Sequence, residues 1–191
     1  MITGYRSLLQ ASIDDKSAVL NRLVFSVPEL IHRSFVELED NAHETALKNS
    51  DGEMEIYFSI YHNESERYRP EDEEWMITEF YRSMVLNISS FAETTIKSLL
   101  QNPDERFHGN YLFNAFNKLN EESYLQLDGI STYWEGHQDF TQKRNDIAHN
   151  CRDVDITAEE LYDAINGVHR LLRAIADALN LRTAEGRSHS Y

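Results

Sequence analysis

One long amphipathic segment limits what this chain can fold into. After Pro70, apolar residues recur every three or four positions through about six turns, which is the period of a helix with one buried face. This stripe consists of Ile77, Tyr81, Met84, Ile88, Ala92, Ile96 and Leu99. We therefore predict a long core helix that ends near QNPDERFHGN, residues 101–110, and needs other helices to cover its apolar face.

Two helices are predicted before this segment. Residues 5–24 have helical periodicity, with apolar residues at Leu9, Ile13, Leu20 and Val24. A second helix is predicted from Ser26 to about residue 49, because Ser26 and Glu29 have the spacing of a capping box and Pro28 suits a first turn. The stretch MEIYFSIYH, residues 54–62, fits either an extended segment or a short helix.

Three further helical stretches are predicted after the long core helix. They are a short helix within YLFNAFNKLN (residues 111–120), a longer one over about 124–148, and a final one. The final helix opens at Thr157 with the capping box TAEE and continues to Arg182. Residues 183–191 are predicted to form a flexible tail.

The fold class that these helices predict is all-α. Only seven glycines and three prolines are present, and 41% of the 191 residues are hydrophobic, enough for one core. Amphipathic helices joined by short connections bury their stripes best in an antiparallel bundle. We predict a single domain over residues 1–182, with a core bundle at about 70–180 and additional N-terminal helices within 5–49.

Charge and cysteine content exclude several classes of protein. A net charge of −15 argues against nucleic-acid binding over the whole surface, although a local basic cleft remains possible. The single cysteine, Cys151, cannot form an internal disulfide, and no signal peptide or membrane span is evident, which predicts a cytoplasmic protein. No HExxH motif, cysteine pair or glycine-rich phosphate loop occurs, so we expect no metal and no cofactor.

The candidate site lies in KRNDIAHN, residues 143–150, which places Arg144, Asn145 and His149 within six positions. An arginine and a histidine at such a spacing occur about one or two times by chance in a chain of this composition. In a straight helix Asn145 and His149 share a face, whereas Arg144 lies about 140° from His149. Both can reach one phosphate only if the helix loosens, if the arginine wraps around it, or if a second protomer contributes.

A structural role is the simpler interpretation of the same residues. His149 near a helix carboxyl end is favoured by the macrodipole, and Arg144 can cover apolar surface while it pairs with an acid. Glu93 lies beside the stripe of the long helix, next to Ala92, and could approach the motif. A solvent-facing position is the expectation for this glutamate.

The heptapeptide RNDIAHN, Arg144 to Asn150, resembles the RNxxxH motif of the higher eukaryotes and prokaryotes nucleotide-binding (HEPN) superfamily. The resemblance extends to a helical bundle over about residues 70–180, and residues 1–69 have no counterpart in it. It implies an all-helical fold of the HEPN type, a homodimer, and metal-independent RNA cleavage in a cleft between two subunits. Arg144 and His149 would then be the catalytic pair, and Asn145 the polar residue that commonly follows the arginine.

The chemistry of these residues suits the roles that the resemblance implies. An imidazole can take a proton from the ribose 2′-hydroxyl or supply one to the leaving oxygen, and the guanidinium of Arg144 matches phosphate oxygens. Lys143 and Arg152 flank the motif and are expected to bind the RNA backbone. The products would be a 2′,3′-cyclic phosphate and a 5′-hydroxyl.

Two functions follow from this resemblance. The first is an endoribonuclease, a toxin or defence effector with an antitoxin or sensor protein as a further partner. The alternative is a non-catalytic HEPN subunit for dimerisation or regulation in such a system, which the net charge of −15 favours. Related toxins tend to carry a tyrosine two residues after the histidine, where this chain has Cys151, so control through that tyrosine is not carried over.

Overall fold

A computed structural model describes residues 2–48, 70–107, 109–150 and 154–188, and every regular element within them is a helix. The helices are α1 (Ile2–Lys48), α2 (Pro70–Leu99), α3 (Tyr111–Glu122), α4 (Ile130–Tyr133), α5 (His137–Asn150) and α6 (Ala158–Ser188). The predicted all-α class is therefore confirmed. Residues 54–62, for which the sequence left two conformations open, lie outside the described residues.

The core forms where α1, α2 and α6 contact one another pairwise, with α3 packed on α2 and α5 packed on both α2 and α6. The centre of the predicted α2 stripe is fully buried, as is most of the α6 stripe. The buried stripe residues are Met84, Ile88, Ala92 and Ile96 of α2, and Leu161, Ile165, Val168, Leu172 and Ile175 of α6. Each fully buried aliphatic side chain contributes about 1.5–3 kcal/mol through removal from water, so these stripes supply much of the folding free energy.

Helix α1 differs from the prediction because it continues without a break through Pro28. A proline inside a helix removes one backbone hydrogen bond and costs about 3 kcal/mol, so contacts on both sides must hold the segments in one helix. Before Pro28, the ring of Phe25 packs 5.9 Å from that of Tyr162. After Pro28, His32 Nδ1 lies 2.9 Å from Glu73 Oε1 on α2. The preference of Ser26 to begin a new helix is not realised in the structure.

The predicted helical stretch over 124–148 is also interrupted. Tyr124 and Gln126 have φ angles of 48° and 57°, which end the preceding helix. The Asn120 side chain then replaces helical hydrogen bonds, since its Nδ2 donates to the Leu127 carbonyl at 3.0 Å and its Oδ1 accepts from the Leu127 amide at 3.0 Å. Regular helix resumes in α4 and α5, so only the second half of the predicted stretch is one helix.

The start of α6 confirms the predicted capping box. The Glu160 amide donates to Thr157 Oγ1 at 3.1 Å, and the Thr157 amide donates to Glu160 Oε2 at 3.0 Å. At its other end, α6 continues to Ser188, beyond the Arg182 at which the sequence predicted a tail. Within the described residues, no helix has the length and apolar character that crossing a bilayer requires.

Candidate functional site

Helix α5 carries the motif, and its amino-terminal end is anchored in the core. Trp134, between α4 and α5, is buried, and its ring packs 5.3 Å from that of Phe140. His137 Nδ1 donates to the Trp134 carbonyl at 3.0 Å. The indole also lies so close to Gly167 of α6 that a Cβ there would be 2.3 Å from a ring carbon. These contacts fix the orientation of α5, and thereby the face on which the motif lies.

The guanidinium of Arg144 is the centre of the site. Its Nη1 donates to Asn145 Oδ1 at 3.1 Å and lies 3.3 Å from His149 Nε2. Its Nη2 lies 3.6 Å from Oε2 of Glu93 on α2. Because α5 is continuous from His137 to Asn150, the arginine reaches the histidine by wrapping around the helix. Of the three arrangements that the sequence left open, the structure adopts this one within a single chain.

The contact between Arg144 and His149 gives each group one role. An arginine has donors and no acceptor, so Nε2 of His149 takes the part of the acceptor in this contact. His149 is exposed at the end of α5, whereas Arg144 and Asn145 are half-buried. The site therefore places an imidazole nitrogen beside a guanidinium at the surface.

Glu93 joins this cluster, contrary to the expectation of a solvent-facing side chain. Its side chain is 21% exposed, and that of Arg144 is 27% exposed. Burial raises the pKa of Glu93, and the positive charge of Arg144 opposes that rise without cancelling it. The sequence signal for this position was its place one residue after Ala92, at the edge of the stripe that faces the core.

Lys143, one of the two cations that were expected to bind RNA, is not brought into this cluster. The ammonium of Lys143 donates to Glu160 Oε1 at 2.6 Å and to the Asp155 carbonyl at 3.1 Å, which directs it toward the start of α6. Burial raises the pKa of Glu160, but hydrogen bonds from Lys143 and Thr157 outweigh that effect and lower it. Arg152 lies outside the described residues. The structure thus unites Arg144, Asn145 and His149 with Glu93, and leaves Lys143 apart.

A separate cavity of about 480 Å³ lies beside the start of α5, where Lys143, Glu160 and Arg170 line it together with Trp134. Arg170 Nε donates to the Tyr133 carbonyl at 3.0 Å, and Lys143 donates to Glu160. Both cations that line this cavity therefore have acceptors within the protein. Among the described residues, no group of three or more His, Cys, Asp or Glu side chains is placed to hold a metal ion. The Arg144 cluster is the arrangement that the RNxxxH motif singles out for acid–base chemistry.

Comparison of the chain with protein-family models, with curated proteins and with solved structures gives no match. The resemblance to HEPN proteins therefore rests on the RNxxxH motif and on the helical architecture. The fold and the Arg144 cluster together describe an all-α protein with a surface arginine–histidine site.

Proposed function

We propose that this chain is a HEPN-type endoribonuclease that cleaves RNA without a metal, as a toxin or defence effector. The observation that carries the proposal is the 3.3 Å separation of Arg144 Nη1 and His149 Nε2. This contact joins a cation whose chemistry suits a phosphate to an imidazole whose chemistry suits a base, on one surface. Both groups are required if a ribose 2′-hydroxyl is to attack the adjacent phosphodiester.

The proposed reaction proceeds in one displacement. Nε2 of His149 takes the proton of the 2′-hydroxyl while the 2′-oxygen forms a bond to phosphorus. The bond from phosphorus to the 5′-oxygen breaks, and that oxygen takes a proton from water, whose hydroxide then recovers the proton held by the His149 imidazolium. Arg144 binds the non-bridging oxygens and stabilises the charge that develops on them. Asn145 holds the guanidinium in place through its Oδ1. The products are a 2′,3′-cyclic phosphate and a 5′-hydroxyl.

A homodimer completes the proposal. The cation at each site is partly balanced by Glu93, and the chain carries a net charge of −15, so one site alone offers little attraction for a polyanion. Two copies of the Arg144 cluster that face one another would double the local positive charge along the RNA. An antitoxin or sensor protein would act by blocking or opening that cleft.

The alternative is a non-catalytic subunit that dimerises or regulates a defence or toxin–antitoxin system. It is favoured because the cations described near the motif already have partners within the protein. Arg144 contacts Glu93 and His149, and Lys143 binds Glu160. In this function the cluster is a structural link between α2 and α5, and RNA is not a substrate.

The deciding experiment is incubation of the purified protein with mixed cellular RNA in the presence of EDTA. His149→Ala and Arg144→Ala are compared with the parent, and His169→Ala and Arg173→Ala serve as matched controls. The controls remove a histidine and an arginine that both bind Asp14, away from the motif. We expect cleavage by the parent and both controls, with cyclic phosphate ends, and none by the two motif variants. An inactive parent that is folded and dimeric would contradict the ribonuclease and favour the regulatory subunit.

A further inference from the structure

Helix α1 exposes an apolar stripe on one side. Leu8, Val19 and Leu30 are 67%, 57% and 58% exposed. They follow one another at intervals of eleven residues, which is three helical turns to within about 20°, so they lie in a nearly straight line. At about 1.5 Å per residue the line is about 33 Å long. Apolar residues that are aligned in this way form a continuous surface on which another helix can pack.

The surface between Leu8 and Val19 is recessed, because the residues there are small. A depression of about 500 Å³ is lined by Ala11 and Ser12 as well as by these two residues, and the lining residues that the structure describes all belong to α1. The distance between packed helices is about 8–10 Å and depends on the side chains at the contact. Small side chains in the recess therefore allow another helix to approach closely.

Two charged residues beside the stripe lack partners among the described residues. Asp15 and Arg22 are both exposed, and neither forms an ion pair or a side-chain hydrogen bond in the part of the chain that the structure describes. They are seven residues apart, so they share a face of α1 but are separated by about 10.5 Å along its axis. This separation exceeds the three- and four-residue spacings at which side chains on one helix pair. Each charge is thus available to pair with another molecule.

The remaining lysine, arginine and acidic side chains between residues 8 and 36 have partners in their own chain. The ammonium of Lys16 lies 5.5 Å from the centroid of the Phe91 ring. Arg33 binds Glu29 one turn before it on α1, and Asp14 binds α6. The charge that this face offers to a partner is therefore one carboxylate and one guanidinium.

A second copy of α1 fits this face when it runs in the opposite direction. A two-fold axis at Val19 places this residue against Val19 of the partner subunit. Leu8 then lies against Leu30 of the partner subunit, because the two positions are equally far from Val19 in the sequence. For the same reason Ser12 lies against Ser26 of the partner subunit. Each exposed apolar residue of the stripe is thereby covered by another, and the small residues meet in the recess.

Charge distinguishes this arrangement from a parallel one. In the antiparallel pair, Asp15 lies about 1.5 Å along the axis from Arg22 of the partner subunit, on the same side of the stripe. The two-fold axis repeats this ion pair, so all four charges are paired. A parallel pair would instead place each residue against its own copy, and so oppose two carboxylates and two guanidiniums. Like charges in such positions are destabilising and select the other orientation.

We propose that the stripe of Leu8, Val19 and Leu30 is an interface at which two copies of this chain pack their α1 helices antiparallel, with ion pairs between Asp15 and Arg22. No residue of the stripe belongs to the Arg144 cluster, so the inference goes beyond the proposed ribonuclease and does not depend on it. Together with an RNA cleft between two clusters, this interface would give the chain two self-complementary surfaces, the arrangement of a tetramer with D2 symmetry.

The test is disulfide cross-linking of single cysteines in a Cys151→Ser background under mild oxidation. A disulfide requires Cα atoms about 4.4–6.8 Å apart, so it forms between positions that meet. We expect Val19→Cys to give a covalent dimer, and a mixture of Leu8→Cys and Leu30→Cys to give a mixed one. Val36→Cys is the matched control, since Val36 is 40% exposed on the same helix but lies about 120° around it from Leu30. It should stay monomeric on a non-reducing gel.

Exchanging the two charges tests the orientation of the pair. Asp15→Arg and Arg22→Asp, each added to Val19→Cys, turn two attractions into two repulsions, and each should slow cross-linking about tenfold. The double exchange restores opposite charges and should return the rate to within about twofold of that of Val19→Cys. Both residues are exposed, so the fold should tolerate these changes, and Tm reports whether each variant is folded.

Cross-linking uses no RNA, so its outcome is distinct from that of the cleavage experiment. No covalent dimer from Val19→Cys, or an equal yield from Val36→Cys, would overturn the interface. Efficient cross-linking of Leu8→Cys to its own copy would show a parallel pair and overturn the antiparallel one. A double exchange that fails to restore the rate would overturn the ion pairs between Asp15 and Arg22.

Discussion

Replacing Arg144 with alanine should destabilise the protein mainly through the carboxylate that it leaves behind. The guanidinium lies 3.6 Å from Oε2 of Glu93, and both side chains are about three-quarters buried. Coulomb attraction over that distance is about 1 kcal/mol in water and about 5 kcal/mol at an effective dielectric constant of about 20. Exposed pairs contribute about 0.2–1 kcal/mol, and breaking a fully buried pair costs about 3–5 kcal/mol. We expect an intermediate coupling of about 1–3 kcal/mol at neutral pH.

A double-mutant cycle with Glu93→Gln measures this coupling directly. Glutamine keeps the size of the side chain and removes its charge, so packing lost with the arginine cancels between the two backgrounds. Urea unfolding of the four proteins gives the free energies. Arg144→Ala should lower stability by about 1–3 kcal/mol more in the parent than in the Glu93→Gln background. For a chain of this size, that difference corresponds to about 3–10 °C in Tm.

The coupling should also depend on pH. The pKa of Glu93 is already raised above 4.5, and removal of Arg144 raises it further. The folded state then binds a proton more tightly than the unfolded state, so the destabilisation is complete above the folded pKa and disappears as pH falls through it. The coupling should therefore be largest at pH 8 and shrink as the pH falls through the raised pKa of Glu93. A coupling near zero at pH 8, or one that grows on acidification, would refute this account.

Three further substitutions test the framework that holds the site. Gly167→Ala should lower the free energy of unfolding in urea by about 1–3 kcal/mol, because the new Cβ would meet the buried indole of Trp134. Gly136→Ala is the control, since the space around Gly136 is open, and it should change stability far less. Thr157→Ala should lower the free energy of unfolding by about 1 kcal/mol, since it removes the acceptor for the Glu160 amide. An unchanged free energy of unfolding would mean that the capping box contributes nothing to stability. Ile88→Ala should lower the free energy of unfolding by about 2–5 kcal/mol, because it leaves a cavity in the core. A loss below about 1 kcal/mol would show that α2 is less tightly packed than described.

The helices predicted best are those whose apolar period is long and uninterrupted. The stripe from Ile77 to Leu99 predicted α2, and the capping box at Thr157 predicted the start of α6, because each depends on local chemistry alone. Pro28 misled the prediction of α1, since this helix packs on α2 and α6, which are distant in sequence. Tertiary contacts of this kind leave no periodic signal.

The motif was likewise predictable as a set of residues but not as a geometry. The spacing places Arg144 and His149 about 140° apart around the helix. The sequence left three ways for the two side chains to meet, and in the structure the long arginine side chain reaches across that angle. The part played by Glu93 depends on how α2 crosses α5, which only packing determines. The engagement of Lys143 by Glu160 depends in the same way on the approach of α6.

The proposed ribonuclease requires that RNA binding release Nε2 of His149 from its contact with Arg144. In the structure, Nη1 of Arg144 lies 3.3 Å from His149 Nε2, and Nη2 faces Glu93. A phosphodiester carries one negative charge, as Glu93 does, so the arginine can exchange one anion for the other without a change in its charge balance. The exchange would draw the guanidinium away from the imidazole and leave Nε2 free to accept the 2′-hydroxyl proton.

In a regulatory subunit no such exchange occurs, and phosphate should then leave the coupling between Arg144 and Glu93 unchanged. The same double-mutant cycle, repeated with and without inorganic phosphate, therefore separates the two functions: a ribonuclease site predicts a coupling that falls as phosphate is added.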